Sequence, residues 1–289
     1  MLQPLTFGIG LRPQHATWAE QAAEWPKVEA MGFDSIWLND HFHSLGDSID
    51  AEAFEASTTL AALALSTSRA RIGVLTYGNT HRIPTVLAKG LITVDHMSGG
   101  GRVIVGIGAG WHESEHAAFA IPFPSAGDRV RMLEEALDVY RLLEANERTT
   151  YRGRYYTLID APFVPKPVHG RLPILIGGTK PKMLRVIGKH ADIWDSSLPP
   201  DEYAAALRTI REHAREFGRD PESIVASKGV WNGKVDDKEF ADKVRAAYRA
   251  GVRQLLFRPS HERKDLDEIP RLMETVIPEL KAELDRRST

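Results

Sequence analysis

Cysteine is absent from this chain of 289 residues, which excludes disulfide frameworks, thiolate zinc sites, iron–sulfur clusters and cysteine nucleophiles. Long apolar runs are absent as well, because stretches such as Leu60–Leu65 fall far short of the ~20 residues that a membrane span requires. The net charge is only −2, so electrostatics give no case for a nucleic-acid or anionic-membrane partner. The first residues carry neither the basic region nor the apolar core of a signal peptide, and we expect a cytoplasmic protein.

Short, continuously apolar stretches recur along the chain and alternate with helical patterns. Continuous apolar character is typical of strands that are covered on both faces, as in a parallel sheet. The predicted strands are Leu5–Gly10, Ser35–Asn39, Arg71–Thr76, Arg102–Gly108, Pro173–Gly177, Ala191–Ser196, Ser223–Trp231 and Val252–Arg258. Eight strand–helix units favour closure into one (β/α)₈ barrel of the α/β class over an open, doubly wound sheet.

The helical segments carry their own start and stop signals. Thr17 and Glu20 have the spacing of a capping box before the predicted helix 16–31. Gly32, Gly188 and Gly251 each follow a helical pattern and precede a strand, which predicts left-handed turns at these glycines. The last helix is predicted over Leu266–Leu284, with a bend at Pro278.

One interval between strands is longer than the others. Predicted strands that start at 102 and 173 are 71 residues apart, whereas the preceding interval is 31. A barrel typically needs about 250 residues, so this interval accounts for the surplus length. We predict a single domain over 1–289 with an insertion at about 120–172, which contains a helix at Gly127–Glu144 and a hairpin at Thr149–Leu158. The insertion is expected to cover the site and to set substrate selectivity.

Barrel enzymes place their chemistry at the carboxyl ends of the strands, and glycines are frequent there in this chain. Gly177-Gly178-Thr179 follows a strand and precedes a helix, which is typical either of a phosphate cradle or of a plain strand-to-helix turn. The series from Gly106 through Gly108 to Gly110 is not a dinucleotide fingerprint, because the third glycine of that motif is missing.

Two histidine patterns have a functional and a structural interpretation. The segment His112–His116 reads H-E-x-x-H, a zincin motif, but it follows a glycine-rich turn rather than lying inside a long amphipathic helix. Zinc is therefore disfavoured, and no metal site is expected. Asp40-His41 after the second strand is either a general-base pair or a turn in which the histidine only makes structural hydrogen bonds.

Ordered motifs over about residues 72–121 resemble a known family. They read T-x-x-x-x-x-R-x-P-x-x-L-A-K at 76–89, D-x-x-S-G-G-G-R at 95–102 and G-x-G-A-G-W-x-x-x-E at 106–115. The stretches GFDSIWLNDHF, PILIGGT and ADIWD match in the same order. The chain resembles the luciferase-like monooxygenase superfamily of flavin and deazaflavin oxidoreductases, which are (β/α)₈ barrels, and within it most resembles the branch that uses coenzyme F420.

The resemblance implies roles for individual residues. His41 corresponds to a histidine near the reactive ring of the cofactor, and the pair Gly73-Val74 to a cis peptide bulge behind that ring. The other implied cofactor-binding residues are Thr76, Asn79, Gly108, Ala109, Gly110, Gly177, Gly178 and Thr179. In the sugar-phosphate dehydrogenase branch a glutamate serves as the acid at the position where this chain has Trp111, so the resemblance does not carry that chemistry over, although Glu113 or Glu115 could substitute.

The resemblance leaves several functions open. The leading hypothesis is an oxidoreductase that transfers hydride between coenzyme F420 and a small organic substrate, and the alternative is an FMN-dependent monooxygenase on the same scaffold. A zinc hydrolase acting through residues 112–116 and a non-catalytic flavin-binding barrel are further hypotheses. The resemblance also implies a homodimer. The sequence does not identify the substrate.

Overall fold

The computed structural model describes residues 4–45, 48–231, 236–259 and 266–286, and over these ranges it confirms the predicted barrel. The parallel strands that close the barrel are β1 (Thr6–Gly10), β2 (Ser35–Leu38), β3 (Arg71–Val74), β5 (Val103–Gly108), β8 (Ile174–Gly177), β9 (Ile193–Asp195), β10 (Val225–Trp231) and β11 (Gln254–Phe257). Each of the eight predicted strands contains one of them. A short strand β4 (Tyr77–Gly78) follows β3 and also pairs with β5.

The strands pair in the order β3-β2-β1-β11-β10-β9-β8-β5, and β3 pairs with β5 to close the ring. Because helices cover the outside of a closed barrel, both faces of its strands lie against protein, and most strand residues are apolar and buried. All four residues of β2 and all four of β11 are buried, which shows this directly.

The indole of Trp37 fills the middle of the barrel. It belongs to an interior cluster that also contains Ile104, Leu175, Ile193 and Leu256, and its Nε1 donates to Ser35 Oγ at 2.9 Å. Glycine surrounds this ring because a larger residue would collide with it: a Cβ at Gly73 would lie 2.7 Å from the indole. The indole also forms the floor of the cavity described below.

The outer layer consists of helices whose ends follow the sequence signals in most cases. The helices are α1 (Trp18–Ala30), α2 (Ala56–Ser66), α3 (Pro84–Met97), α4 (Glu113–Ala118), α5 (Ala126–Ala145), α6 (Pro181–His190), α7 (Pro200–Glu216), α8 (Asp237–Arg249), α9 (Ile269–Arg271) and α10 (Ile277–Arg286). Thr17 and Glu20 form the predicted capping box of α1. No helix among the described residues combines the length and apolar character needed to cross a membrane.

Two of the three glycines predicted to follow helices do so. Gly32 and Gly251 have φ of 96° and 97°, the left-handed region expected after a helix end. The prediction for Gly188 is wrong, because this residue lies inside α6. A Cβ there would lie 2.6 Å from His213 Cβ and 2.8 Å from Ile210 O, so Gly188 instead permits the close packing of α6 against α7.

The predicted last helix is helical from Leu266 to Arg286, but it is not one regular α-helix. A 3₁₀ turn at Leu266–Glu268 leads into α9, and a π-helical turn at Leu272–Val276 connects α9 to α10. Pro278 is the second residue after this turn. Since proline lacks the N–H of a regular helix, irregular backbone before it is the expected accommodation.

The long interval contains the predicted helix and hairpin, which are α5 and the antiparallel pair β6 (Arg148–Arg152) and β7 (Thr157–Pro162). Its predicted position over the site is wrong. Glu135 of α5 accepts hydrogen bonds from the backbone N–H groups of Tyr155 and Tyr156, so the hairpin turn packs against α5 outside the barrel. None of residues 120–172, all of which the structure describes, lines the cavity at the strand ends.

The Glu29 carboxylate connects α1 to the segment that enters β3, and this contact supplies a stability prediction. It accepts backbone N–H bonds from Ser68, Arg69 and Ala70 at 2.8–3.1 Å. Burial raises the pKa of Glu29, but these hydrogen bonds outweigh it and lower the pKa to about 2. We expect Glu29→Gln to reduce the free energy of unfolding by about 1–2 kcal/mol at neutral pH.

The pH dependence separates this contact from a general packing effect. A carboxylate whose pKa is depressed on folding stabilises the fold above its unfolded pKa and loses that contribution as pH falls through the folded value. In urea titrations the difference between wild type and Glu29→Gln should therefore shrink as pH falls from about 4.5 towards 2. A difference that is constant over this range would contradict the assignment.

Candidate functional site

A cavity of about 560 Å³ opens at the carboxyl ends of the barrel strands. Its volume lies within the range of small-molecule and cofactor sites, about 300–1,000 Å³. Most of the site residues predicted from the sequence line it together. These are His41, Thr76, Gly108, Ala109, Gly110, Gly177, Gly178 and Thr179.

The expectation that Gly73-Val74 forms the cis peptide bulge is wrong. The cis bond joins Leu75 and Thr76, and these two residues line the cavity. Gly73 and Val74 lie within β3, where they pair with Trp37 and Leu38 of β2. The backbone leaves the sheet only after this pairing ends, so the bulge comes two residues later than the resemblance implies.

Asn79 was also expected to bind the cofactor, but it does not line the cavity. It is buried, its backbone N–H donates to Gly108 O at 2.9 Å, and its Nδ2 donates to Tyr156 Oη at 3.1 Å. Asn79 therefore attaches the hairpin of residues 148–162 to the end of β5.

His41 is held by Glu115, a residue distant in sequence. His41 Nδ1 lies 3.0 Å from Glu115 Oε2, and the backbone N–H of Phe42 donates to Glu115 Oε1 at 2.5 Å. Burial raises the pKa of the Glu115 carboxyl, but the hydrogen bonds from His41 and Phe42 outweigh it and leave the pKa below its usual value. The ionised carboxylate fixes Nδ1 as the protonated nitrogen and leaves Nε2 as the other nitrogen for chemistry.

Asp40 does not pair with His41, so the general-base pair considered from the sequence is not formed. Its Oδ2 accepts from Arg82 Nη1 at 2.7 Å, from His81 Nδ1 at 3.0 Å and from the Gly78 N–H at 3.0 Å. Burial raises the pKa of Asp40, but the hydrogen bonds and charges of His81 and Arg82 more than offset it and keep the carboxyl ionised. Asp40 is thus a structural anchor that holds the β2 and β4 ends together.

The H-E-x-x-H segment does not have zincin geometry. Both ring nitrogens of His116 are engaged, Nε2 with Thr80 Oγ1 at 2.7 Å and Nδ1 with His112 O at 2.7 Å. His116 is fully buried, so it is not available beside His112 as the second ligand of a zincin site. The zincin interpretation, in which His112 and His116 together bind zinc, is therefore wrong.

The opposite wall contains the predicted phosphate turn. Gly177 ends β8, Gly178 and Thr179 follow it, and the helix α6 begins at Pro181 after the N-cap residue Lys180. Gly178 has φ of 135°, and a Cβ there would lie 2.5 Å from Met183 Cγ, so only glycine fits. The N-terminal end of α6 therefore reaches the cavity beside glycine backbone, an arrangement that favours an anionic group.

The residues that line the cavity fit a deazaflavin or flavin ring. Asn39, at the end of β2, lines the cavity, and its buried Oδ1 accepts no hydrogen bond from the described residues. A buried acceptor of this kind needs a donor, and the pyrimidine N–H of a flavin-type ring is one. Together with the flat indole of Trp37 and the glycine turn before α6, this acceptor suits a ring with a phosphorylated tail.

Sequence reasoning did not assign the partners of His41 and Asp40. Glu115 was named only as a possible acid, and His81 and Arg82 were part of a motif without a role. Burial was the available clue. Glu115 and His116 are neighbours in the short helix α4, and two buried polar side chains need polar partners. Glu115 and His116 are both 0% exposed.

Comparisons with known proteins agree with this geometry. A family model described as luciferase-like monooxygenase matches residues 4–282. A relative from Kineococcus radiotolerans, an F420-dependent glucose-6-phosphate dehydrogenase, is 31% identical over 221 residues, which is 75% of this chain and 64% of the relative. A phthiodiolone/phenolphthiodiolone dimycocerosates ketoreductase from Mycobacterium bovis is 33% identical over 237 residues, 73% of this chain and 61% of the relative. The chain thus spans less than two thirds of either relative.

A solved structure shows the same fold. It is an F420-dependent secondary alcohol dehydrogenase in complex with an F420-acetone adduct, with a TM-score of 0.85 and 22% sequence identity. The match covers 96% of this chain and 99% of that chain. At this identity the likeness establishes the architecture, and the chemistry must be argued from the residues.

Proposed function

Because the chain belongs to the luciferase-like monooxygenase family, we propose that it is an oxidoreductase that transfers hydride between coenzyme F420 and a small organic substrate. The observation that carries the proposal is the His41–Glu115 pair, which lines the same cavity as the glycine turn before α6. The relatives named for F420-dependent and ketoreductase chemistry point to alcohols and carbonyl compounds as substrates. FMN-dependent monooxygenation stays the alternative prediction for the activity. A cytoplasmic location also stays a prediction.

His41 is the residue that accepts a proton from the substrate and returns it. With Nδ1–H directed at Glu115, the lone pair of Nε2 accepts the hydroxyl proton of an alcohol, and the Glu115 carboxylate stabilises the imidazolium that forms. In the reverse direction the same nitrogen returns the proton to the carbonyl oxygen. The Trp111 ring contacts the His41 ring edge-on, with 5.8 Å between the ring centroids.

Coenzyme F420, when bound, supplies a carbon centre that accepts or donates the hydride. Residues on opposite walls of the cavity would hold it. Asn39 would accept the ring N–H, Gly108 and Ala109 would border the ring, and the turn Gly177–Thr179 with the start of α6 would bind the phosphate.

A turnover assay tests this function. The protein is mixed with oxidised F420 and a panel of primary and secondary alcohols, while deazaflavin absorbance and dissolved oxygen are recorded together. We expect loss of the oxidised deazaflavin without oxygen consumption. Oxygen consumption that requires FMN, with no reduction of F420 by any alcohol, would replace this proposal with the monooxygenase.

A homodimer is part of the same proposal, and the helices α2 and α3 are its best-supported interface. Exposed apolar side chains lie on or beside these helices: Leu65 is 67% exposed, Ile83 64% and Val86 63%. An apolar groove of about 440 Å³ runs between the two helices and includes Val86. Water-exposed apolar residues grouped in this way are typical of an interface with a second copy.

Sedimentation equilibrium tests the interface. We expect wild type to sediment at twice the chain mass of 32.2 kDa, and Val86→Glu to shift the protein to the monomer because it buries an unpaired charge. Ile159→Glu is the matched control, since Ile159 is 74% exposed and belongs to β7 of the hairpin rather than to α2 or α3. A dimer that persists in Val86→Glu would contradict this interface.

A further inference from the structure

Three potential metal ligands meet on one wall of the cavity, and two of them come from the H-E-x-x-H segment in an unexpected combination. His41, His112 and Glu115 each present one ligand atom, and these atoms lie within 4.8 Å of one another. His116, the second histidine of the motif, is not among them because Thr80 and the His112 carbonyl engage its ring. The third ligand instead comes from the end of β2.

The separations are close to those of a tetrahedral zinc site. Zinc–ligand bonds of about 2.0–2.2 Å place neighbouring ligand atoms about 3.4 Å apart. Glu115 Oε2 lies 3.0 Å from His41 Nδ1 and 3.7 Å from His112 Nδ1. His112 is the residue directly before α4, and its side chain is 23% exposed, so its ring has room to adjust. The ligand atoms of His41 and His112 lie within 4.8 Å of each other, and only a small movement is needed to reach the tetrahedral separation.

The site has an unsatisfied polar atom and a fixed carboxylate. His112 Nδ1 is buried, and no hydrogen-bond partner for it exists in the described part of the chain. The Phe42 N–H binds Glu115 Oε1 and thereby directs Oε2 towards both histidines. Hydrogen bonds that orient a ligating carboxylate in this way are typical of metal sites.

We propose that His41, His112 and Glu115 bind a divalent transition metal ion, for which Zn²⁺ is the probe, with the remaining coordination position open to the cavity. Two histidines and one carboxylate with an open position suit Zn²⁺ and its neighbours among the first-row metals. Bound metal takes the place of the proton on the His41 nitrogen that faces Glu115, and it therefore removes the hydrogen bond to Glu115 that supports proton transfer at Nε2. If the proposed function is correct, Zn²⁺ therefore inhibits turnover.

Calorimetric titration of the full chain with Zn²⁺, without cofactor or affinity tag, tests the site. We expect one Zn²⁺ per chain, and affinity at least about 100-fold weaker in both His112→Ala and Glu115→Gln. His43→Ala is the matched control, because His43 is a neighbouring histidine whose Nδ1 binds Ser44 O, and it should keep wild-type affinity. Circular dichroism establishes that each variant is folded.

The outcomes separate this inference from the proposed function. Absence of one-to-one binding, or equal affinity in wild type and His112→Ala, overturns the metal site. Inhibition of F420 turnover by Zn²⁺ that disappears in His112→Ala supports it further. If calorimetry shows the site while no turnover with F420 is measurable, the metal site stands and the oxidoreductase proposal fails.

Discussion

Replacement of His41 by alanine should lower turnover with F420 by about 10²–10⁴-fold, because the variant loses the group that exchanges a proton with the substrate. The dissociation constant for F420 should stay nearly unchanged, since the phosphate turn at Gly177–Thr179 lies on another wall of the cavity. Steady-state kinetics and a fluorescence titration of F420 measure the two quantities separately. Unchanged turnover would remove His41 from the mechanism.

His43→Ala is the control for this experiment. His43 is two residues away, and its Nδ1 binds the carbonyl of Ser44 rather than Glu115. Its turnover should remain close to that of wild type. An equal loss in His41→Ala and His43→Ala would indicate that the loop after β2 was disturbed, and the assignment to His41 would then be wrong.

Replacement of Arg82 by leucine should produce the largest loss of stability. Arg82 contacts the Asp40 carboxylate at 2.7 Å, and the Asp40 side chain is only 1% exposed. Removing one partner of a buried pair leaves the other charge uncompensated, which costs about 3–5 kcal/mol. Urea unfolding monitored by circular dichroism should show this decrease in the free energy of unfolding.

Two further variants show whether the buried charge is the cause. Arg148→Leu removes a partner from an exposed pair, since Arg148 and Asp160 are 57% and 64% exposed, and should cost less than about 1 kcal/mol. The double variant Asp40→Asn with Arg82→Leu should recover part of the loss, because no unpaired charge remains. A cost for Arg82→Leu no greater than that for Arg148→Leu would contradict the buried anchor.

The sequence predicted the barrel well because the strongest physical signals are local and repeated. Strands such as β2 and β11 are mostly apolar and buried throughout, as closure of a parallel sheet requires, and turn glycines such as Gly32 mark where helices end. Gly188 was misinterpreted because a glycine that permits helix–helix contact has the same local sequence appearance as one that ends a helix. Only the packing partner, His213, distinguishes the two.

Site residues were predicted where one strand end supplies them and missed where distant segments meet. The turn Gly177–Thr179 and His41 follow strands directly, so topology alone places them on the cavity. The partnership of His41 with Glu115 joins residues 74 positions apart, and no spacing rule predicts it. The hairpin was misplaced because its contacts with Glu135 and Asn79, which hold it outside the barrel, depend on tertiary structure.

The cavity at the strand ends should bind a deazaflavin with a phosphorylated tail. Parallel equilibrium titrations of the purified apo protein with coenzyme F420 and with FMN, followed by cofactor fluorescence, measure this binding. We predict saturable, one-to-one binding of F420 at micromolar concentrations and markedly weaker binding of FMN. Micromolar binding of FMN alone, with no saturable binding of F420, would show that the cavity is not a deazaflavin site.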